Sequence, residues 1–152
     1  MNLHIVQAEL WKMDGGAGFG LIPKTIWSKQ YPADELNYIL MRSRLLLVAD
    51  GDRVTLIDTG MGRKRGDKYY QHKYIQPGND LETSLSELGF KPEDITDILV
   101  THLHDDHIGG ATYFEGDELK LFFPNATHWI SKAQWDWAMN PNKREAGAYF
   151  QD

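Results

Sequence analysis

Hydrophobic positions recur along the first third of this chain in short, strand-like runs. Residues 4–11 are mostly apolar and rich in strand formers, and the glycines from Gly15 to Gly20 that follow predict a turn. Runs at 38–41 and 44–49 lead to Asp50-Gly51, a dipeptide suited to a tight hairpin because both positions tolerate positive φ. Residues 53–58 form the returning arm, which ends at Gly60-Met61-Gly62. From 63 to 74, charged and aromatic residues follow no period and read as a loop. The pattern then turns helical: Asp80 is placed to cap a helix that carries Leu81, Leu85 and Leu88 and that Gly89 stops. A short turn at Pro92-Glu93-Asp94 precedes 95–101, a β-branched run that reads as a buried strand. A strand at 127–130 and a helix carrying Trp135 and Trp137 complete the order of elements. Strands first, then helices alternating with strands, predict an α/β (α+β layered) fold.

Composition narrows what such a fold does. At 152 residues the chain has room for one domain, and 41% hydrophobic with 25% charged residues excludes disorder. No apolar run approaches the roughly 20 residues of a membrane helix, and the start lacks the marks of a secretory signal, so a cytoplasmic protein without membrane contact is expected. The balance of 16 Lys+Arg against 22 Asp+Glu gives a net charge of −6, which disfavours nucleic acid as a partner. Arg63-Lys64-Arg65 accordingly reads as a solvated loop. The chain has no cysteine, which excludes disulfides, iron–sulfur clusters, thiolate zinc sites and thiol nucleophiles. Any metal must be held by histidine and carboxylate.

Three of the six histidines fall within Thr101-His102-Leu103-His104-Asp105-Asp106-His107. The cluster follows a predicted buried strand, and open α/β sheets place ligand sites at the carboxyl ends of their strands. In extended chain, positions i, i+2 and i+4 share a face, so His102, His104 and Asp106 are expected to converge, with His107 entering from the turn at Gly109-Gly110. Four such side chains exceed what one tetrahedral ion needs once water has a place. They divide into two pairs for two ions about 3.5–4 Å apart. The plain alternative is a histidine-rich surface loop, and the apolar strand before it and the two glycines after it count against that.

The motif His102-x-His104-x-Asp106-His107, after Thr101 and before Gly109-Gly110, resembles the metal motif of the metallo-β-lactamase superfamily. Leu56-Ile57-Asp58-Thr59-Gly60 is similar to that family's upstream strand and turn. The resemblance implies an αββα sandwich and two divalent ions, most often zinc, with iron, manganese or cobalt as alternatives. It implies His102 and His104 on one ion, and Asp106 and His107 on the other. The implied chemistry is hydrolysis, a hydroxide bridging the ions attacking a lactone, an ester or a phosphotriester of a small molecule. Asp106 would orient that hydroxide and pass a proton to the leaving group. The family draws a further His, a bridging carboxylate and a last His from later in the chain. His128 is the only later histidine here, and it reads as a strand or surface residue. Residues 1–152 are therefore expected to be the N-terminal portion of one such domain, inactive alone and weak in metal affinity. An exposed apolar face is expected too, favouring a homodimer. Segment 14–27, with its glycines and Pro23-Lys24, resembles the branch of N-acyl-homoserine lactonases and organophosphate hydrolases, and 31–35 and 132–150 are similar to it as well.

Other residues have competing roles. Asp58 is either an acceptor that holds a ligand imidazole from behind or a turn aspartate at a strand end. Asp105 stands where the family often has an apolar or aromatic residue, and it is expected to face solvent or a partner behind the ligands. Phe19 and Trp27, with Met13, are candidates for an apolar substrate pocket, against plain core duty. The glycines at 15–20 do not match a phosphate loop, because Pro23 precedes Lys24-Thr25 where that loop needs glycine; a hairpin turn beside the substrate mouth is expected instead. Two rival functions differ in kind. A nuclease of the same superfamily would carry a basic channel, which this acidic chain lacks, and a non-catalytic metal-binding or assembly module would fold without metal.

Overall fold

Alternation of side chains about one mixed sheet organises the fold. The computed structural model describes residues 1–78 and 80–150; the end of the expected domain, 151–152, lies outside the described residues. The strands are β1 (Asn2–Asp14), β2 (Tyr38–Asp50), β3 (Arg53–Ile57), β4 (Asp97–Leu99), β5 (Thr112–Glu115), β6 (Glu118–Leu121) and β7 (Thr127–Trp129). The helices are α1 (Gly15–Phe19), α2 (Lys24–Trp27), α3 (Asp67–Tyr70), α4 (Leu81–Glu87), α5 (Asp105–Ile108) and α6 (Lys132–Met139). Five strands form a sheet in the order β1-β2-β3-β4-β7, and β5-β6 form a separate hairpin. β1, β2 and β3 are antiparallel, whereas β4 and β7 join β3 in parallel.

One face of the sheet is covered. Val6, Leu45, Leu47, Leu56 and Ile98 project into a core that α4 closes with Leu81 and Leu85, joined by Ile95, Val100 and Phe123. Each such side chain, taken fully out of water, contributes about 1.5–3 kcal/mol. α4 starts where expected, its first turn capped by the Asp80 carboxylate, which accepts from the Thr83 amide at 2.8 Å. The opposite face is open: cross-strand register puts Leu3, Ile5, Leu99 and Trp129 on it, and all four are exposed. Beside them Asp97 accepts from Arg53 through two bonds of 2.9 Å and from the Trp129 indole at 2.7 Å.

Several sequence expectations are corrected. The glycines after β1 form no hairpin turn: Asp14 accepts from the Ala17 amide at 3.0 Å and starts the one-turn α1, so α1 and α2 lie within the β1–β2 connection. The irregular 63–74 stretch contains α3. Pairing in β4 stops at Leu99, short of the Thr101 expected. The β5-β6 hairpin turns at Gly116 with φ 62° and was not anticipated, although Tyr113-Phe114 followed by Glu115-Gly116-Asp117 carries its signal.

Candidate metal centre

The site is assembled where β3 and β4 end side by side. Asp58, just past β3, takes φ +60°, a left-handed conformation that costs a residue other than glycine about 1–2 kcal/mol. Its surroundings offset that cost. The amide of Asp58 donates to Leu99 at 3.0 Å. Its carboxylate accepts from the Thr101 amide at 2.8 Å, the Thr101 hydroxyl at 2.7 Å and His107 Nδ1 at 2.8 Å. With its proton committed to Asp58, the Thr101 oxygen is left to accept from His102 Nδ1 at 3.1 Å. Asp58 thus fixes the Nδ1–H tautomer of His107 directly and of His102 through Thr101, which leaves both Nε2 atoms as lone-pair donors.

His107 is held by its backbone as well. α5 is one turn and too short to be stable by itself, so outside contacts must orient it. The His107 carbonyl accepts from the Thr59 amide at 2.7 Å and the Thr59 hydroxyl at 3.1 Å. Behind it, a Cβ on Gly109 would overlap the Met61 carbonyl oxygen, and one on Gly110 the Thr59 carbonyl oxygen. Only glycine lets these two backbone segments meet. The 60–62 turn is braced in turn by buried Glu9, which accepts from the amides of Met61 at 3.2 Å and Gly62 at 2.9 Å.

The candidate ligands do come together, by a route the sequence did not indicate. Asp106 belongs to α5 and not to an extended strand, so helical geometry, not period-two alternation, turns it toward His107. The rings of His102 and His107 have centroids 3.8 Å apart, and those of His102 and His104 4.6 Å apart. Asp106 Oδ2 lies 3.7 Å from His107 Nε2. His104 is backed by Tyr149, with ring centroids 4.8 Å apart and a backbone bridge between the two residues.

Asp105 does not reach solvent. It is buried and accepts from the Tyr69 hydroxyl at 2.8 Å and Lys73 Nζ at 2.7 Å, which turns its charge toward the 63–74 stretch. Nor is Arg63-Lys64-Arg65 simply solvated: Lys64 donates to Thr112 at 2.8 Å, and Lys64 and Arg65 both stand over the Phe150 ring. Phe19 and Trp27 stack on each other at 4.8 Å, and Trp27 presses on Gly15. Neither lines the cleft of about 250 Å³ beside Asp58, Asp106 and His107, whose apolar walls are Trp11, Met41 and Leu45. His128 pairs opposite Ile98 within the sheet. Glu9, Tyr69, Lys73 and Tyr149 support the cluster without belonging to any motif, and no local pattern could have marked them.

Charge around the cluster is asymmetric. Burial alone would lower His107, but the Asp58 hydrogen bond and the nearby carboxylates Asp106 and Asp105 outweigh it and raise the imidazole above its ordinary value. His102 is lowered, first by burial and then by its neighbours His107 and His104. Burial pushes Asp58 upward, yet its bonds from His107 and Thr101 win and hold it below the usual carboxylate range.

These donors fit divalent ions in kind: two oriented imidazoles, a third imidazole and a carboxylate, with no thiolate or amine among them. Among the described residues no group of three or more His, Asp or Glu side chains is posed to hold one ion. The four side chains stand near one another, His102 closer to His107 than to His104, and supply donors of a suitable kind.

The sequence profile of the metallo-β-lactamase superfamily matches residues 42–117, half of the chain. The chain belongs to the metallo-β-lactamase superfamily. The matched stretch runs from within β2 through the histidine cluster, so the features that define the superfamily here are those gathered at the ends of β3 and β4. A probable metal-dependent hydrolase from Staphylococcus aureus superposes with a TM-score of 0.89 at 32% identity, over 99% of this chain and 53% of that one. AidC, a dizinc quorum-quenching lactonase solved with a product of N-hexanoyl-L-homoserine type, superposes with a TM-score of 0.70 at 32% identity, over 94% of this chain and 46% of that one. The N-acyl homoserine lactonase AttM of Agrobacterium fabrum is 32% identical over 66 residues, 43% of this chain and 22% of that protein. The chain therefore spans about half the length of the solved relatives. The mixed α/β architecture is that of the metallo-β-lactamase fold. Among the described residues no helix is long and apolar enough to cross a membrane.

Proposed function

We propose that this chain carries the metal-holding part of a hydrolase that opens a small-molecule lactone or ester, with phosphotriesters as the nearest alternative substrates. The observation that carries the proposal is the Asp58 carboxylate, bonded at once to His107 and, through Thr101, to His102, so that both Nδ1 atoms are engaged and the two Nε2 atoms are left to bind a metal. Such a carboxylate behind a histidine raises the basicity of the ring and fixes its orientation, which is what a metal ligand requires. The superfamily and the lactonase relatives support the same reading.

In this reading His102 and His104 hold one ion, and Asp106 and His107 hold the other, zinc being the first choice for imidazole and carboxylate donors. When bound, the ions supply an acidified water and a Lewis acid for the carbonyl or phosphoryl oxygen. The chain's own groups do the rest. Asp106 accepts no hydrogen bond from the described residues, so its Oδ2 is available to take up a proton and later release it to the leaving group. Asp105 is neutralised by Lys73 and Tyr69, which keeps a second carboxylate away from the ions. We take the chain to act in the cytoplasm on a small-molecule substrate, its net charge of −6 disfavouring nucleic acid as a partner.

The test is zinc uptake by the full chain, measured by competition with a chromophoric chelator, alongside lactone opening followed by proton release. Weak but measurable zinc binding, reduced further in His104→Ala, is the expected result. A chain that folds fully and takes up no metal overturns the proposal and favours the assembly module.

A further inference from the structure

α5 is a single turn whose first residue, Asp105, is buried and whose next two, Asp106 and His107, are candidate ligands. A turn this short does not hold itself, so contacts outside it set its direction. His107 has contacts of its own: Asp58 accepts from its Nδ1, and its carbonyl accepts from Thr59. Asp106 has none. Its Oδ2 comes within 3.7 Å of His107 Nε2, and it accepts no hydrogen bond from any described residue. Its aim follows from how the backbone on either side of it is fixed.

The far end of the turn is fixed by the close approach of Gly109 and Gly110 to the backbone of Met61 and Thr59. At the near end His104 makes no side-chain capping bond, and the tie is Asp105 instead. Asp105 Oδ2 accepts from the Tyr69 hydroxyl at 2.8 Å and from Lys73 Nζ at 2.7 Å. Both donors are themselves held. The Lys73 carbonyl accepts from the Lys12 amide at 2.7 Å, and the Gln76 amide donates to the Leu10 carbonyl at 2.8 Å, which ties this stretch to β1. The Lys73 ammonium stands over the Trp11 ring, 5.3 Å from its centroid, and the Tyr69 ring packs against Tyr70 and Phe150. A charge-assisted bond from a donor anchored on the sheet gives the start of α5 a fixed position.

We propose that Lys73 and Tyr69 are positioning residues for the metal centre: by fixing Asp105 they set the start of α5, and with it the direction of Asp106. The bearing on metal rests on the hydrolase reading, whereas the ordering of α5 does not. A pair that only compensated a buried charge would alter the stability of the chain and leave the order of α5 in the folded state unchanged.

The test uses the full chain labelled with nitrogen-15. In the metal-free wild type the backbone amides of Asp106 and His107 should have order parameters near that of rigid backbone, about 0.85. In Lys73→Met they should fall toward about 0.6 while those of β2 and β3 stay as they are. Tyr69→Phe, which removes only a hydroxyl, should lower them less, and it carries the test if circular dichroism shows Lys73→Met unfolded. Lys73→Arg keeps a cationic donor and should restore the wild-type order. Zinc affinity, from the chelator competition, should fall about tenfold in Lys73→Met and about threefold in Tyr69→Phe. In an Asp106→Ala background Lys73→Met should cost less than about twofold more, because the residue it aims is gone. Order parameters unmoved by either variant overturn the proposal, as does a loosened α5 whose zinc affinity is that of the wild type. A wild type that takes up no zinc sinks the hydrolase reading, and the order parameters still decide whether Lys73 and Tyr69 fix α5.

Discussion

His107 has its Nδ1 2.8 Å from Asp58, its carbonyl bonded twice to Thr59, and glycines pressed against a neighbouring turn behind it. His104, three residues earlier, shows no hydrogen bond to its ring nitrogens among the described residues; its ring meets His102 and Tyr149, and its backbone bridges to Tyr149. One end of the cluster is tied to the ends of β3 and β4, the other to the segment that follows α6. The difference shows two ways in which one motif holds its side chains. The end fixed by hydrogen bonds has a preset tautomer and direction, and the end fixed by packing keeps freedom to adjust as donors gather around it.

The largest effect is expected at Gly109. Alanine there drives a Cβ into the Met61 carbonyl, and because the obstacle is backbone the cost should reach about 3 kcal/mol, read as a lower urea midpoint. Exchanging Asp58 for alanine removes the acceptor behind His107 and, through Thr101, behind His102. Zinc affinity is then expected to fall about 10–100-fold while the sheet stays folded by circular dichroism. An Asp58→Ala chain that binds zinc as the wild type does would show that the two ends are equally supported. Tyr149→Phe keeps the ring against His104 and should change zinc affinity by less than about twofold, which separates packing from hydrogen bonding at that end.

The smallest effect is expected away from the cluster, at Asp97 on the open face. Its carboxyl is held far below the usual range by hydrogen bonds from Arg53, Trp129 and Thr96. A group depressed in the folded state adds stability that is complete above its unfolded value, about pH 3.9, and is lost as pH falls through its folded value. Asp97→Asn should therefore lower the melting temperature slightly at pH 7, and the gap from wild type should close at strongly acid pH. Zinc affinity should be the same in both proteins.

Much of the scaffold was legible because local physics decides it. The apolar runs at 44–49 and 53–58 suit neighbouring strands, and Asp50-Gly51 permits the tight return; β2 and β3 pair there, Asp50 opposite Arg53. Asp80 and the leucines of α4 needed only a cap and a period. The 15–20 segment was misread because glycine richness argues for a turn only when nothing stabilises a helix, and the Asp14 carboxylate does. β5 and β6 were missed because four-residue strands carry little periodic signal.

The sequence by itself determined the chemistry available at the site: His102, His104, Asp106 and His107 as donors, no thiol to compete with them, and an apolar strand before them. Those are properties of residue type and spacing, and they need no knowledge of distant neighbours. Only the tertiary structure decided which way each donor points. Asp58 lies 49 positions from His107, and Lys73 lies 32 from Asp105. Contacts of that separation leave no periodic trace along the chain, because folding, not local preference, brings the partners together.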